Sequence, residues 1–284
     1  MALICLTNFN IILNISIFKT NNFAKKQNQI TMKKTILLLI ALLSISYPIS
    51  AFTPVASDTN KTDSSGKKTG FWKEKDKQID FYGNYQNDKK EGLWTGYYTN
   101  GSISNMDEYK NGKRNGISLS FEKAGFYNKK DNYVNDTLNG KCYTYMNGAR
   151  VTSEIEYKMG MLNGVKNLYY NDGKIQEKGR FANGIRDGKT EWFFPDGKIS
   201  MEYNYKMGVI DGPEKSFFKN GNVNTEVNMV NNKEEGDYHE YFESGKIKVS
   251  GKYVHGAKDG IWKETDEEGK VIKTENYKAG VLKK

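Results

Sequence analysis

Apolar and polar residues alternate along most of this chain, in short runs that glycine-bearing turns interrupt at fixed intervals. Between residues 199 and 205, Ile199, Met201, Tyr203 and Tyr205 alternate with Ser200, Glu202 and Asn204. A period of two sends alternate side chains to opposite faces, so this run predicts a strand with one apolar and one wetted face. The preceding run carries Trp192-Phe193-Phe194, and Pro195-Asp196-Gly197 lies between the two. Asp-Gly between β-prone runs is a strong hairpin signal, and the turn it points to is type I′, with positive φ at both central residues. Met207-Gly208 then turns the chain back into Gly212, where the pattern restarts. One unit is a β-hairpin plus a return turn.

The unit recurs. Its opening glycine stands at Gly70, Gly92, Gly116, Gly140, Gly164, Gly188, Gly212, Gly236 and Gly260, spaced by 22 residues once and by 24 seven times. A fixed period over many units identifies a repeat architecture. The return turn carries glycine at most copies, and Asp88, Asp136 and Asn232 replace it with the residue types that best tolerate left-handed backbone. Apolar columns repeat with the turns. One reads Tyr109, Tyr133, Tyr157, Phe181, Tyr205, Met229, Tyr253 and Tyr277; another reads Tyr97, Phe121, Tyr145, Tyr169, Phe193, Phe217 and Tyr241. Stacked hairpins would make each column a ladder, with about 0.2–1 kcal/mol per cross-strand pair. The expected fold is all-β: an elongated array of antiparallel hairpins in a twisted or coiled sheet, with about nine repeats.

The remainder of the chain is organised differently. Met32-Lys33-Lys34, the apolar run 35–43 and Ser50-Ala51 have the form of a secretory signal peptide over residues 32–51. Residues 1–31 then read as an over-extended N-terminus; the competing reading makes their apolar run 9–18 an export or anchoring element. Residues 52–66, rich in Ser, Thr, Asp and Lys, read as a flexible linker, and 67–284 as the repeat domain. The expected location is outside the cytoplasm: periplasmic, outer-membrane-associated or secreted. Export also changes the charge balance. The leader holds five lysines and no acid, so the formal +9 falls to +4 over the rest of the chain, an ordinary solubilising surface. No nucleic-acid partner is expected.

Catalysis needs unlike residues that converge, and this chain offers columns of like ones. His239 and His255 fall in different columns of one repeat without further ligands at metal spacing. Acid groups such as Glu234-Glu235 lie near turns, no phosphate-loop motif occurs, and Cys142 stands where other repeats place Trp72, Trp94 or Trp262, which reads as packing. The expectation is a non-enzyme without cofactor or metal. What remains is aromatic surface: first strands carry paired rings such as Tyr97-Tyr98 and Phe193-Phe194, so one of each pair can face outward. The candidate binding face is Tyr98, Tyr170, Phe194, Phe218 and Phe242, for a protein, glycan or membrane-surface partner.

Residues 249–260, VSGKYVHGAKDG, follow the pattern Y-x-G-x-W-x-x-G-x-x-x-G with substitutions, and 179–188, GRFANGIRDG, repeat its core. This resembles the MORN repeat. With its NGN and DGK turns and no closing G-x-G, the chain is similar to the bacterial variant, including the YwqK-family antitoxins. The resemblance spans residues 70–280 and implies a sheet array that acts as a scaffold, a lipid-surface binder or a companion to an enzyme. It also implies an alternative, an antitoxin-like protein that neutralises a partner toxin.

Overall fold

The computed structural model describes residues 59–148 and 150–284. The expected extension at 1–31 and signal peptide at 32–51 lie outside the described residues, as does the linker up to residue 58. Of the linker's remainder, Lys61–Thr62 forms a short strand paired with Lys68–Asp76.

The fold is an all-β antiparallel meander in which each long strand pairs with its neighbours in sequence. Ile185–Phe193 and Ile199–Lys206 show the unit: Gly188 pairs with Tyr205, Thr190 with Tyr203 and Trp192 with Met201. The first strand of a unit then pairs with the second strand of the unit before it, Gly179 opposite Thr190 and Glu177 opposite Trp192. Residues opposed in this way share a face. No second layer covers the described sheet, and its buried apolar side chains are few: Trp94, Cys142, Met229 and Trp262. Burial comes from neighbours along the sheet, so each unit depends on the next.

The hairpin turn differs from the expectation. Asp196-Gly197 does not make a type I′ turn. Gly197 N–H donates to Phe194 O at 2.8 Å, Phe194 N–H donates to Lys198 O at 2.8 Å, and only Gly197 has positive φ, 95°. This is a type I turn closed by a left-handed glycine. The cause is the three-residue loop: Pro195 is fixed at negative φ and suits the second position of a type I turn, which leaves the left-handed place to the glycine. The type I′ geometry belongs to the return turn, where Met207 and Gly208 have φ of 50° and 86°.

The return turns are stacked by hydrogen bonds between units. Gly208 N–H donates to Arg186 O at 2.9 Å, and Gly112 N–H to Lys90 O at 2.9 Å. Asp88, Asp136 and Asn232 occupy this left-handed position as expected, and the structure adds a reason for them. Their Oδ1 atoms accept the N–H of Lys68 (2.7 Å), Arg114 (2.8 Å) and Ile210 (2.7 Å), a bond that glycine cannot make.

Candidate binding groove

Where the second strand of one unit meets the first strand of the next, the opening glycine widens the ladder. Asp187–Lys189 bulges opposite Arg180 alone, which places Arg186, Thr190 and the ring of Phe181 together on one face. Equivalent positions elsewhere carry tryptophan, and around them the rings form rows. Trp72, Tyr85, Trp94 and Tyr109 stand edge to face in succession, with centroids 5.5, 5.1 and 6.4 Å apart. A second row runs through Tyr238, Tyr253, Trp262 and Tyr277 at 5.6, 5.1 and 6.5 Å. Offset edge-to-face geometry is what the ring quadrupoles prefer, at about 0.5–1.5 kcal/mol per pair beyond burial.

A cation lies over each tryptophan of these rows. Lys68 Nζ is 4.5 Å from the Trp72 ring, Lys90 Nζ 3.9 Å from Trp94 and Lys258 Nζ 4.1 Å from Trp262. Each lysine precedes its tryptophan by four residues, so K-x-x-x-W occurs three times, and it is the sequence signal that finds this site. For Trp94 and Trp262 the opposite side of the ring lies on glycine. A Cβ at Gly83 would fall 2.3 Å from the Trp94 ring, and one at Gly251 would fall 2.2 Å from Trp262. Ring, glycine and lysine form a sandwich across two units.

At the N-terminal row the sandwich borders a groove of about 510 Å³, lined by Trp72, Phe81, Trp94, Tyr109, Lys68 and Lys90 among others. Glu74 is its central anion. It takes Lys68 at 2.9 Å, Lys90 at 3.1 Å and the Tyr85 hydroxyl at 2.7 Å. Burial pulls the Glu74 carboxyl upward, but the hydrogen bonds from Lys68, Tyr85 and Lys90 outweigh it and hold it below the usual range. Burial, and then Glu74, push the Tyr85 phenol well above its ordinary value, so it remains a donor. The groove therefore presents ring edges and two ammonium groups that share one carboxylate.

None of the five residues of the expected binding face lines this groove. Tyr98, Tyr170, Phe194, Phe218 and Phe242 are each half-buried and open the hairpin loops at the edge of the sheet. The Tyr98 hydroxyl donates to Phe121 O at 2.9 Å and that of Tyr170 to Phe193 O at 2.6 Å, which ties each ring to the next unit's backbone.

Other candidate groups are dispersed. Cys142 is buried, at 5% exposure, and burial with the nearby Asp131 pushes its thiol up to about 11, far from a nucleophilic thiolate. His239 Nδ1 lies 3.6 Å from Glu226 and His255 Nδ1 lies 3.4 Å from Glu235. Among the described residues no three His, Cys, Asp or Glu side chains are placed to hold a metal ion.

Comparison with known proteins agrees with this geometry. The family model for the MORN repeat variant matches residues 90–111, 162–183, 186–207, 210–231 and 258–279, all in the same phase of the unit. The unmatched stretches between them keep the same left-handed turn residues, at Asn135, Met159 and His255. No curated protein matches the chain. Among solved structures, the crystal structure of TcdB2-TccC3 aligns at 11% identity over 77% of this chain, with a TM-score of 0.14, too low to relate the two folds. The chain covers 16% of that structure's length. With its five matched units and the uninterrupted hairpin meander, the chain is a MORN-repeat protein of the variant type.

Proposed function

We propose that the chain is an exported, non-catalytic binding or scaffolding module, and that the groove of the N-terminal ring row receives a carboxylate-bearing surface of a partner protein. The observation that carries this is the shared Glu74. Two lysines stacked on Trp72 and Trp94 converge on one internal carboxylate, and a partner carboxylate of the same geometry can take its place. The exchange is cheap because it trades one charge-assisted hydrogen bond for another, while the partner's apolar atoms cover Phe81 and Tyr109. A glycan acid or an anionic membrane surface offers similar chemistry, but the groove's mixture of edge-on rings and paired charges fits a protein surface better.

The test is parallel capture from fractionated source cells with the wild-type chain and the double variant K68Q/K90Q. An envelope protein retained by the first and lost by the second, with both chains equally folded, supports the proposal. Equal retention by both removes the groove from it. A cytoplasmic toxin-like protein as the captured partner would favour the antitoxin alternative. N-terminal sequencing of the cellular protein decides export: a chain that begins near Phe52 outside the cytoplasm supports it, and a full-length cytoplasmic chain overturns it.

A further inference from the structure

The return-turn edge of the sheet carries a feature that the groove does not explain. The first residue of every return turn is left-handed, with φ between 47° (Ala279) and 52° (Asn111, His255). Five of the nine copies are asparagine, which tolerates this conformation: Asn87, Asn111, Asn135, Asn183 and Asn231. Met159 and Met207 occupy it at φ of 51° and 50°, although methionine has no local hydrogen bond to offset the strain.

Nor does packing offset it. Met207 at 79% and Met159 at 74% are the two most exposed large apolar side chains among the described residues. Strain without burial is a poor choice for folding and an intelligible one for contact with something else. Neighbouring positions extend the apolar edge, with Met161 and Ile185 each 49% exposed, Val134 at 46% and Val230 at 42%. Thus the methionines belong to a stripe that crosses consecutive turns.

Charges of both signs stand beside the stripe, and they are engaged differently. Lys158 and Lys206 immediately precede the two methionines, and neither forms an ion pair with the described residues. The local acids turn back onto the chain: Asp187 Oδ1 accepts Met207 N–H at 3.2 Å, and Asp136 Oδ1 accepts Arg114 N–H at 2.8 Å. Successive turns on one edge are two strand spacings apart, about 9.5 Å. An α-helix advances about 10.5 Å in seven residues, so apolar residues in heptad spacing fall close to this period.

We propose that this edge, centred on Met159 and Met207, docks an acidic amphipathic helix of a partner protein laid across the return turns. The helix seats its apolar stripe on Met159, Met161, Ile185 and Met207 and directs its carboxylates to Lys158 and Lys206. Unbranched, polarizable methionines suit such a surface because they adapt to different apolar partners. The site is separate from the groove and does not rest on the function proposed for it.

The probe is a fluorescein-labelled three-heptad peptide with leucine at two positions of each heptad and glutamate over most of the rest, titrated into the repeat-bearing chain and followed by anisotropy. Wild type is expected to bind with an affinity that falls as salt rises. M159N/M207N is expected to bind about tenfold more weakly or worse, the scale of losing central apolar anchors. It should melt at an equal or higher temperature, because asparagine suits the left-handed turn. K158Q/K206Q should keep its melting temperature and lose most of the salt dependence. The proposal is overturned if wild type does not bind, or if M159N/M207N binds equally well. It is also overturned if the methionines instead govern binding to phosphatidylcholine–phosphatidylserine vesicles, or concentration-dependent pairing of two copies, without affecting the peptide.

Discussion

Glu74 and Glu214 belong to the same aromatic face of the same repeated frame, yet their surroundings have opposite effects. At Glu74 the hydrogen bonds from Lys68, Tyr85 and Lys90 overcome burial and favour the ionised form. At Glu214 burial, reinforced by the charge of Glu234, raises the carboxyl, and the Tyr203 hydroxyl compensates only in part. The backbone does not make this difference. One column varies with it, two residues before each opening glycine: it reads Lys68, Lys90 and Arg114 in the first units, Ile210 and Glu234 around Glu214, and Lys258 again in the last. The repeat supplies a constant frame, and single positions set whether a stretch of the face attracts or repels an anion.

The sharpest way to break the comparison is to remove the ring on which the first region is built. Trp94 is 1% exposed, lies on Gly83, carries Lys90 and donates its indole N–H to Asn84 O at 3.0 Å. W94A should cost about 3–5 kcal/mol, the range for large buried aromatics. C142A, at the corresponding position two units on, should cost far less. Because neighbouring units stabilise one another without a single transition, denaturation should be read with hydrogen exchange over residues 81–109. Equal losses for the two variants would mean that the rows contribute no more than ordinary packing.

Next in size is the glycine beneath the ring. In G83A the new methyl meets the packed face of Trp94, for an expected loss of about 1–3 kcal/mol from overpacking. In G179A the closest atom is Arg186 Nη1 at 3.1 Å, the end of a flexible side chain that can shift, so the loss should stay below about 1 kcal/mol. The corresponding melting curves check the difference.

These pairs also show what could be read from the chain before folding. The period, the strands and the left-handed turn positions at Asp88, Asp136 and Asn232 follow from spacing and residue type, since backbone angle restricts them directly. The faces do not follow so simply. A bulge between Trp192 and Phe193 puts a seam into that hairpin, the other hairpins after the first carry one too, and simple alternation carried across it loses the register. The expected binding face, Tyr98 through Phe242, rests on adjacent rings alone, and it falls at the loop edge. K-x-x-x-W marks the ring rows along the chain, but only pairing between units shows why Gly83 and Gly251 must accompany it. Asp196-Gly197 misled for a related reason: its dipeptide fits type I′, while Pro195 before it excludes that turn.

Acidity separates the two carboxylates. The Glu74 carboxyl is depressed in the fold, so its contribution is complete above the ordinary carboxylate range and is lost as pH falls through the folded value. Wild type should therefore lose more stability on acidification than E74Q. Glu214 is raised in the fold, so its ionised form penalises folding at neutral pH, and the penalty disappears once the group is protonated in both states. E214Q should melt higher than wild type at pH 7, and the two should converge under acid. Each effect is expected at about 1 kcal/mol or less because the groups are partly exposed. Parallel shifts of both variants with pH would erase the distinction.

The smallest effect is the most direct test of the column. Ile210 precedes Glu214 by four residues, the relation that Lys90 has to Trp94, and its N–H remains committed to Asn232 whatever side chain it bears. I210K places an ammonium where the first units have theirs. If that position sets the polarity of the face, the new lysine should draw Glu214 down and remove the benefit of E214Q at pH 7. A double-mutant cycle of the two substitutions should then give a coupling of about 0.2–1 kcal/mol. Additive behaviour would mean that Glu214 is governed by its burial and by Glu234 alone, and that the groove of the first units owes its charge to more than one repeated position.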